Sequence, residues 1–396
     1  MAQRHLDPTD STAAAASVPA AALAAYLRAQ ATEFLRALRL HQESGGGAGG
    51  PAEPVDAARA LRRSARRISG SLHTFRPLLE ETWAEELRPE LAWLSGTLAL
   101  EHACHSRLDR LLQALNRLSP RADAPADALV EVAAGSRAAG TPGTAAAPEP
   151  AAGARGRAGA AVPATAPAGP VPRPTTPARG PAPSDRGNLT VGAAKAGALL
   201  DRQLTLARTR AHSTALQALG SARFHAVADK VAVLASDVPL TPAAHTADLR
   251  PLAAAAEERL TDAVAALPLV TAGSPYNAAA LIHGLSPDPA PHPQDAPWHQ
   301  VRLLLRLHRY ACEALRGGED PDAPVDPRLL AAGQALNRHR DAAEAAAAAS
   351  AAARTPRIAP ATAYALGVLH ADQRHEVEAA RFAFQQSWQK RTVGAG

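Results

Sequence analysis

The sequence of 396 residues has little of what β-sheets are made from: aromatic residues are 3% of it, and isoleucine occurs only at Ile68, Ile282 and Ile358. Strands are built from β-branched and aromatic side chains, so an all-β fold is excluded. Cysteine is nearly absent. Cys104 and Cys312 are too few for a disulfide framework or a cysteine-rich metal site, and they suit a reducing compartment. Long hydrophobic runs are missing as well. The apolar stretch Ala13 to Ala25 is mostly alanine, and Asp7 and Asp10 precede it where an export signal carries positive charge. Nothing else approaches the ~18 apolar residues of a membrane span, so a cytoplasmic protein without membrane association is expected. Lysine is scarce too: Lys195, Lys230 and Lys390 are the only three among 42 basic residues, the rest being arginine, and the formal net charge is +5. With Ala, Gly and Pro so abundant, that bias has the signature of a GC-rich genome, and the position of each arginine matters more than their number.

Residues 119–190 are almost entirely Ala, Pro, Gly, Thr, Ser and Arg, with seven arginines against five acids. Repeated proline removes helix donors, and so few large apolar side chains cannot offset the entropy of ordering, so this stretch is predicted to be a disordered tether. Elsewhere apolar residues recur at helical spacing. Leu61, Ala65, Ile68, Leu72 and Phe75 fall on one helix face. Similar patterns run over 20–40, 83–118, 194–234 with a break at Gly220-Ser221, 249–267, 298–315, 328–353 and 361–390. The expected organisation is a tail at 1–18, a first half at 19–118 completed by 191–237, and a second half at 245–391.

The halves look like copies. A shift of 240 positions lays the stripe from Leu61 to Phe75 onto Val301, Leu305, His308, Cys312 and Leu315, and lays Arg62 and Arg66 onto Arg302 and Arg306. A looser match near 238 sets Leu98-Ala-Leu-Glu-His-Ala103 against Leu336-Asn-Arg-His-Arg-Asp341. The prediction is an all-α fold of two pseudo-symmetric four-helix bundles.

Arg59, Arg62, Arg63, Arg66 and Arg67 follow one another with no acid between them, and Arg59, Arg62, Arg66 and His73 share a helix face. Like charges at i, i+4 cost a helix about 0.2–0.5 kcal/mol per pair, a penalty that a bound polyanion removes. The second copy presents His299, Arg302, Arg306 and Arg309 at matching spacing. An arginine run on one exposed helix is ordinarily a solvated face. Recurrence in register with the core stripe argues instead for a cation-lined groove between facing copies, its guanidinium forks suited to phosphate oxygens.

These residues resemble the CHAD domain, the conserved histidine α-helical domain, as a divergent member. The resemblance rests on Arg62 to Leu79, Leu87 to Leu98, Arg208 to Phe224, His299 to Tyr310 and Tyr364-Ala-Leu-Gly-Val-Leu-His370. It implies two bundles about a basic central groove, binding of inorganic polyphosphate, association with polyphosphate granules and no established catalysis. The positions it carries over are Arg62, Arg66, Arg67, His299, Arg302, Arg306 and Arg309, with Arg208, His212 and His339 matching more loosely. Arg59 stands where the family usually has histidine, Ser69 and Leu307 replace usual cations, Ala103 replaces a usual aspartate, and Glu257 and Glu258 sit where cations are common. Those departures motivate the alternative: a helical interaction scaffold that has lost the ligand, with protein contacts through the tether.

Other constellations are weaker. His102-Ala-Cys-His105 lacks the further ligands that a zinc site needs, and no metal or cofactor is expected. Glu80, Glu81, Glu85 and Glu86 are explained by a helix N-terminus. Trp83, Trp93, Trp298 and Trp388 are expected in the core, and without aromatics on the basic helices nucleic acid is disfavoured. His212, His299, His308 and His339 are candidates to titrate near neutral pH, although His308 occupies a stripe position and is a core histidine by default. No acid, base and nucleophile converge, so an enzyme is not expected.

Overall fold

A computed structural model describes residues 18–44, 52–119, 183–273, 285, 292–317 and 326–389. Among them the fold is all-α, and extended backbone pairs only in isolated bridges, Pro19 with Asp248 and Leu79 with Leu240. The long helices are α1 (Ala20–Ser44), α2 (Ala52–Thr74), α3 (Glu81–Leu118), α4 (Pro183–Leu219), α5 (Ala222–Ser236), α6 (Arg250–Ala265), α7 (Ala296–Leu315), α8 (Pro327–Ala353) and α9 (Pro360–Gln389). Their ends follow capping chemistry. Glu80 accepts from the Trp83 backbone nitrogen at 2.7 Å and opens α3, so the acidic run does belong to a helix start. Ser221 accepts from Phe224 at 3.2 Å and opens α5, which places the break at Gly220-Ser221. Asp326 caps α8 ahead of Pro327, whose missing N–H costs nothing in the first turn.

One boundary differs from the sequence reading. Helix α4 begins at Pro183 and not near 191. Pro183 is the last proline before Pro239; its fixed φ suits a first helical position, and beyond it every residue can supply the hydrogen bonds of a helix. The tail at 1–17 and the tether from 120 to 182, with the protein contacts assigned to it, lie outside the described residues.

The two predicted stripes are buried. Leu61, Ala65, Ile68, Leu72 and Phe75 in α2 and Val301, Leu305 and His308 in α7 lie inside, while Cys312 and Leu315 are partly covered. One core joins α1, α2, α5 and the first half of α3; a second joins α6, α7, the start of α8 and Phe384 of α9. A third core was not foreseen. Leu111, Ala114 and Leu115 of α3, Ala196 and Leu200 of α4, Ala345 and Ala349 of α8, and Leu366 and Leu369 of α9 pack together. With 38 residues, α3 extends about 57 Å at 1.5 Å per residue and outruns its bundle, so its far half needs another partner. It finds one in the α8–α9 hairpin of the other half, where small alanine side chains let backbones approach. At Gly192 of α4, an added Cβ would stand 2.2 Å from the carbonyl oxygen of Ala361 in α9.

The two repeat-related helices α2 and α7 pack against each other at the centre. They pack tightly at Gly70, where an added Cβ would lie 2.6 Å from the Tyr310 ring and 3.3 Å from Leu307. Gly70→Ala is therefore expected to force the helices apart and to destabilise the protein by about 1–3 kcal/mol, the usual range for overpacking. Denaturant unfolding checks this, and an unchanged midpoint would mean the crossing tolerates a methyl group.

Candidate anion-binding cleft

Because α2 and α7 cross through their buried stripes, the basic faces one step around each helix open on a shared cleft. That cleft measures about 420 Å³ and is walled by Arg66, His73, Arg302, Arg306, Arg88 of α3 and Arg340 of α8. Its floor at the crossing includes Ser69, Gly70, Leu307 and Tyr310. The departures from the family pattern at Ser69 and Leu307 thus have a local reason: Ser69 donates to the Arg88 carbonyl at 3.3 Å, and Leu307 packs over Gly70.

At the edge of the cleft two cations are paired, Arg88 with Glu85 at 3.2 Å and Arg340 with Asp341 at 2.5 Å and Glu344 at 3.6 Å. Among the described residues Arg62, Arg66, Arg302 and Arg306 have no acidic partner; the one hydrogen bond among them runs from Arg302 Nη1 to Asn337 Oδ1 at 3.4 Å. Burial lowers the Arg66 pKa to about 10, reinforced by Arg62 and Arg306, and lowers that of Arg302 to about 9, reinforced by Arg306 and Arg340. Both remain protonated at neutral pH, but each charge is held at a cost. Burial, followed by the charge of Arg340, likewise depresses Arg62, and burial depresses Arg306. The Nε atoms of Arg302, Arg306 and Arg309, and Nε2 of His299, are buried without a hydrogen-bond partner among the described residues. Buried donors left unmade carry a desolvation penalty that an anionic acceptor would relieve.

The remaining expected site residues divide into groups. Arg59, Arg62, Arg208 and His212 line a second cleft further along α3. Arg59 also pairs with Asp56 at 2.8 Å, and His212 Nδ1 lies 2.9 Å from Glu101. Arg63 is exposed and lines neither cleft. Arg67 turns away to a structural cluster: its Nε donates to Glu313 at 2.8 Å, Tyr26 donates to the same oxygen at 3.0 Å, and Arg309 stands 3.9 Å from Glu313. This ties α1, α2 and α7 together; burial and the Glu313 charge push the Tyr26 hydroxyl well above its ordinary pKa. His339 requires the largest correction. It is 1% exposed, stacked on Trp298 with ring centres 5.6 Å apart and hydrogen-bonded by Arg381, so it sits beneath the cleft with no path to a ligand. Burial lowers its pKa to about 4, which removes it from the residues titrating near neutrality. His299 packs edge-on against it, half-buried and close to Arg302.

Arg340 and Arg88 were missed. A signal for Arg340 existed: the looser repeat aligns it with His102, and His102 lines the second cleft while Arg340 lines the first. Arg88 offered none, since only the α2–α3 hairpin brings it to His73, with Nη1 3.0 Å from Nδ1. Within His102-Ala-Cys-His105 the histidines face outward and Cys104 is buried, so the three do not converge. Of the tryptophans Trp298 is fully inside, and Trp83, Trp93 and Trp388 pack at core edges. Among the described residues no helix is long and apolar enough to cross a membrane.

A duplicated all-α protein with a cationic cleft where its halves meet is the class defined by this fold and site. The chain belongs to the CHAD family: the CHAD domain profile matches residues 29–350. Among solved structures it is similar to PptA from Streptomyces chartreusis, at 62% identity over 94% of this chain and 100% of that one, with a TM-score of 0.68. No curated protein matches the chain. Helix α9 lies beyond the matched span, yet it supplies Phe384 to the second core, pairs Arg374 and Arg381 with Asp295, and packs along α8.

Proposed function

We propose that the α2–α7 cleft binds inorganic polyphosphate without turning it over, and that the protein associates with polyphosphate granules. The observation that carries this is the set of four guanidiniums, Arg62, Arg66, Arg302 and Arg306, contributed by both repeats to one region without an acid to neutralise them among the described residues. The outer cations of the cleft are matched by acids, Arg88 by Glu85 and Arg340 by Asp341 and Glu344. The four central guanidiniums have no such ion pair among the described residues. The cleft is open and walled by cations from four helices, α2, α3, α7 and α8, which suits an anion with several phosphates better than a single one.

Neutralising about 6 to 10 phosphates should cost roughly three to five decades of affinity between about 50 and 200 mM salt, by analogy with other linear polyanions. A titration with long-chain polyphosphate at the two salt concentrations measures that slope; a slope near zero would remove the mechanism. Competition with DNA at equal phosphate concentration separates this reading from general polyanion binding, and polyphosphate should win.

Binding should also take up protons. Burial, with Arg88 adding to it, holds His73 below its ordinary pKa; burial and Arg62 do the same for His102; burial, partly opposed by Asp295 and reinforced by Arg302, does so for His299. A bound polyanion raises each of these, so the complex binds more protons than the separate partners. Affinity is expected to rise as the pH falls from about 8 to about 6, at constant ionic strength. Affinity that is flat or falling over that range would show that these imidazoles do not face the ligand.

A further inference from the structure

The second cleft has a chemistry that a bare phosphate chain does not use. It measures about 320 Å³, within the ordinary range for small-molecule sites, and its floor is apolar: Ala58, Leu98, Ala215, Leu216 and Leu219. Leu216 is 53% exposed there, beside the buried Ala215 and Ala218 of the same helix. Around this floor stand planar cationic groups, Arg59, Arg62 and Arg208, and the imidazoles of His41, His102 and His212. One wall carries Glu101, an acceptor-only carboxylate 2.9 Å from His212 and 3.7 Å from Arg208. His41 Nδ1 is buried without a hydrogen-bond partner among the described residues.

Each part matches one part of a nucleotide. Flat apolar surface flanked by imidazole and guanidinium planes accepts a nucleobase, whose faces stack on such groups in a sequence-tolerant way. A carboxylate accepts the hydroxyl protons of a ribose, which phosphate cannot offer. Arginines take the phosphates. The two clefts are also joined: Arg62 lines the second, and one helical turn away Arg66 lines the first, beside Arg302, Arg306 and Arg340.

We infer that the second cleft holds the nucleoside of a nucleoside polyphosphate, whose phosphate tail crosses Arg62 and enters the basic cleft, so that such nucleotides compete with inorganic polyphosphate. This rests on reading the first cleft as a phosphate site. Inorganic tripolyphosphate has the tail without the nucleoside, which makes it the reference ligand for adenosine triphosphate. On the full chain, at matched ionic strength and without divalent cations, calorimetry should show adenosine triphosphate binding at least about fivefold tighter, the lower end of what stacking one base contributes. Leu216→Gln, a neutral change at an exposed position outside the basic cleft, should abolish that advantage while leaving tripolyphosphate and long-chain polyphosphate affinities as in the parent. Equal affinity for the two ligands in the parent protein, or a nucleoside advantage that survives Leu216→Gln, overturns the inference. If long-chain polyphosphate binds and the nucleoside adds nothing, the nucleotide site falls and the phosphate cleft stands; if neither inorganic ligand binds, both fall.

Discussion

Replacing Arg62, Arg66, Arg302 and Arg306 together by glutamine is expected to weaken long-chain polyphosphate binding by at least about a thousandfold while leaving helicity unchanged. A charge-assisted hydrogen bond contributes about 1.5–3 kcal/mol, and each 1.4 kcal/mol is tenfold, so four lost partners exceed three decades even with strong non-additivity. The same substitutions should stabilise the protein without ligand. Arg62 with Arg66 and Arg302 with Arg306 are like-charge i, i+4 pairs, and relieving both contributes roughly 0.5–1 kcal/mol before the repulsion between helices is counted. Opposite signs for binding and stability are what distinguish a ligand site from a structural role. Retention on immobilised polyphosphate and thermal unfolding of the unliganded variant measure the two effects. Unchanged retention would be decisive against the cleft, and a fall in stability would mean that these arginines hold the fold together. The scaffold alternative makes the contrary prediction for the parent chain: no retention at all.

Asp295→Ala is expected to be the most damaging single substitution, at about 3–5 kcal/mol. Asp295 is 2% exposed and joins two buried arginines: Arg374 Nη1 reaches Oδ2 at 2.7 Å, and Arg381 Nη2 reaches Oδ1 at 2.7 Å. Arg381 Nη1 also donates to Glu378 at 2.7 Å, so two cations face two acids and the cluster balances. Removing one acid leaves a buried guanidinium uncompensated, which costs far more than the intact pair contributes. Denaturant titration reads the loss, and a change below about 1 kcal/mol would show that water reaches the cluster. The cluster also sets the response to acid. His339 Nε2 lies 3.3 Å from Arg381 Nε and 3.5 Å from Asp295 Oδ1, and burial, with the Arg381 charge adding to it, outweighs the carboxylate and keeps the ring neutral. The unfolded chain protonates this histidine below about pH 6.5, whereas the folded ring resists until about 4. Stability should therefore fall as the pH drops through that window, by on the order of 3 kcal/mol. Burial opposes the charge of Asp295, but its contacts with His339 and Arg374 outweigh burial and hold its carboxyl far below the usual range. Its contribution is complete above the unfolded carboxylate pKa near 3.9 and is lost as the pH falls further. His339→Phe should flatten the first window and, by removing one of the contacts that hold the Asp295 carboxyl down, weaken the second, leaving the part that Arg374 supplies.

The arginines show how far residue spacing reaches and where it stops. Arg66 and Arg67 are neighbours on one helix, separated by about 100° of rotation. Spacing placed both on the basic side of α2, but one lines the cleft and the other binds Glu313, a partner 246 positions away. The repeat pattern that paired Arg62 with Arg302 holds because equivalent stripes must be buried alike, and burial of the stripe orients whatever lies beside it. His339 matched a family position and yet lies beneath the cleft, because Asp295 and Trp298 draw it inward from elements remote in sequence. The third core escaped notice for a related reason: Ala345, Ala349 and Ala352 make a face that sequence cannot tell from an exposed alanine helix, since alanine is compatible with either.

What could be read along the chain was therefore whatever local periodicity encodes: helices and most of their ends, the buried stripes, the duplication, and a cationic face registered on each central helix. Which of those cations converge, which are neutralised by distant acids, and how two long hairpins lock the halves together depended on packing between segments hundreds of residues apart. Helical periodicity orients a side chain about its own axis, but its electrostatic surroundings are set by the helices that come to lie against that axis.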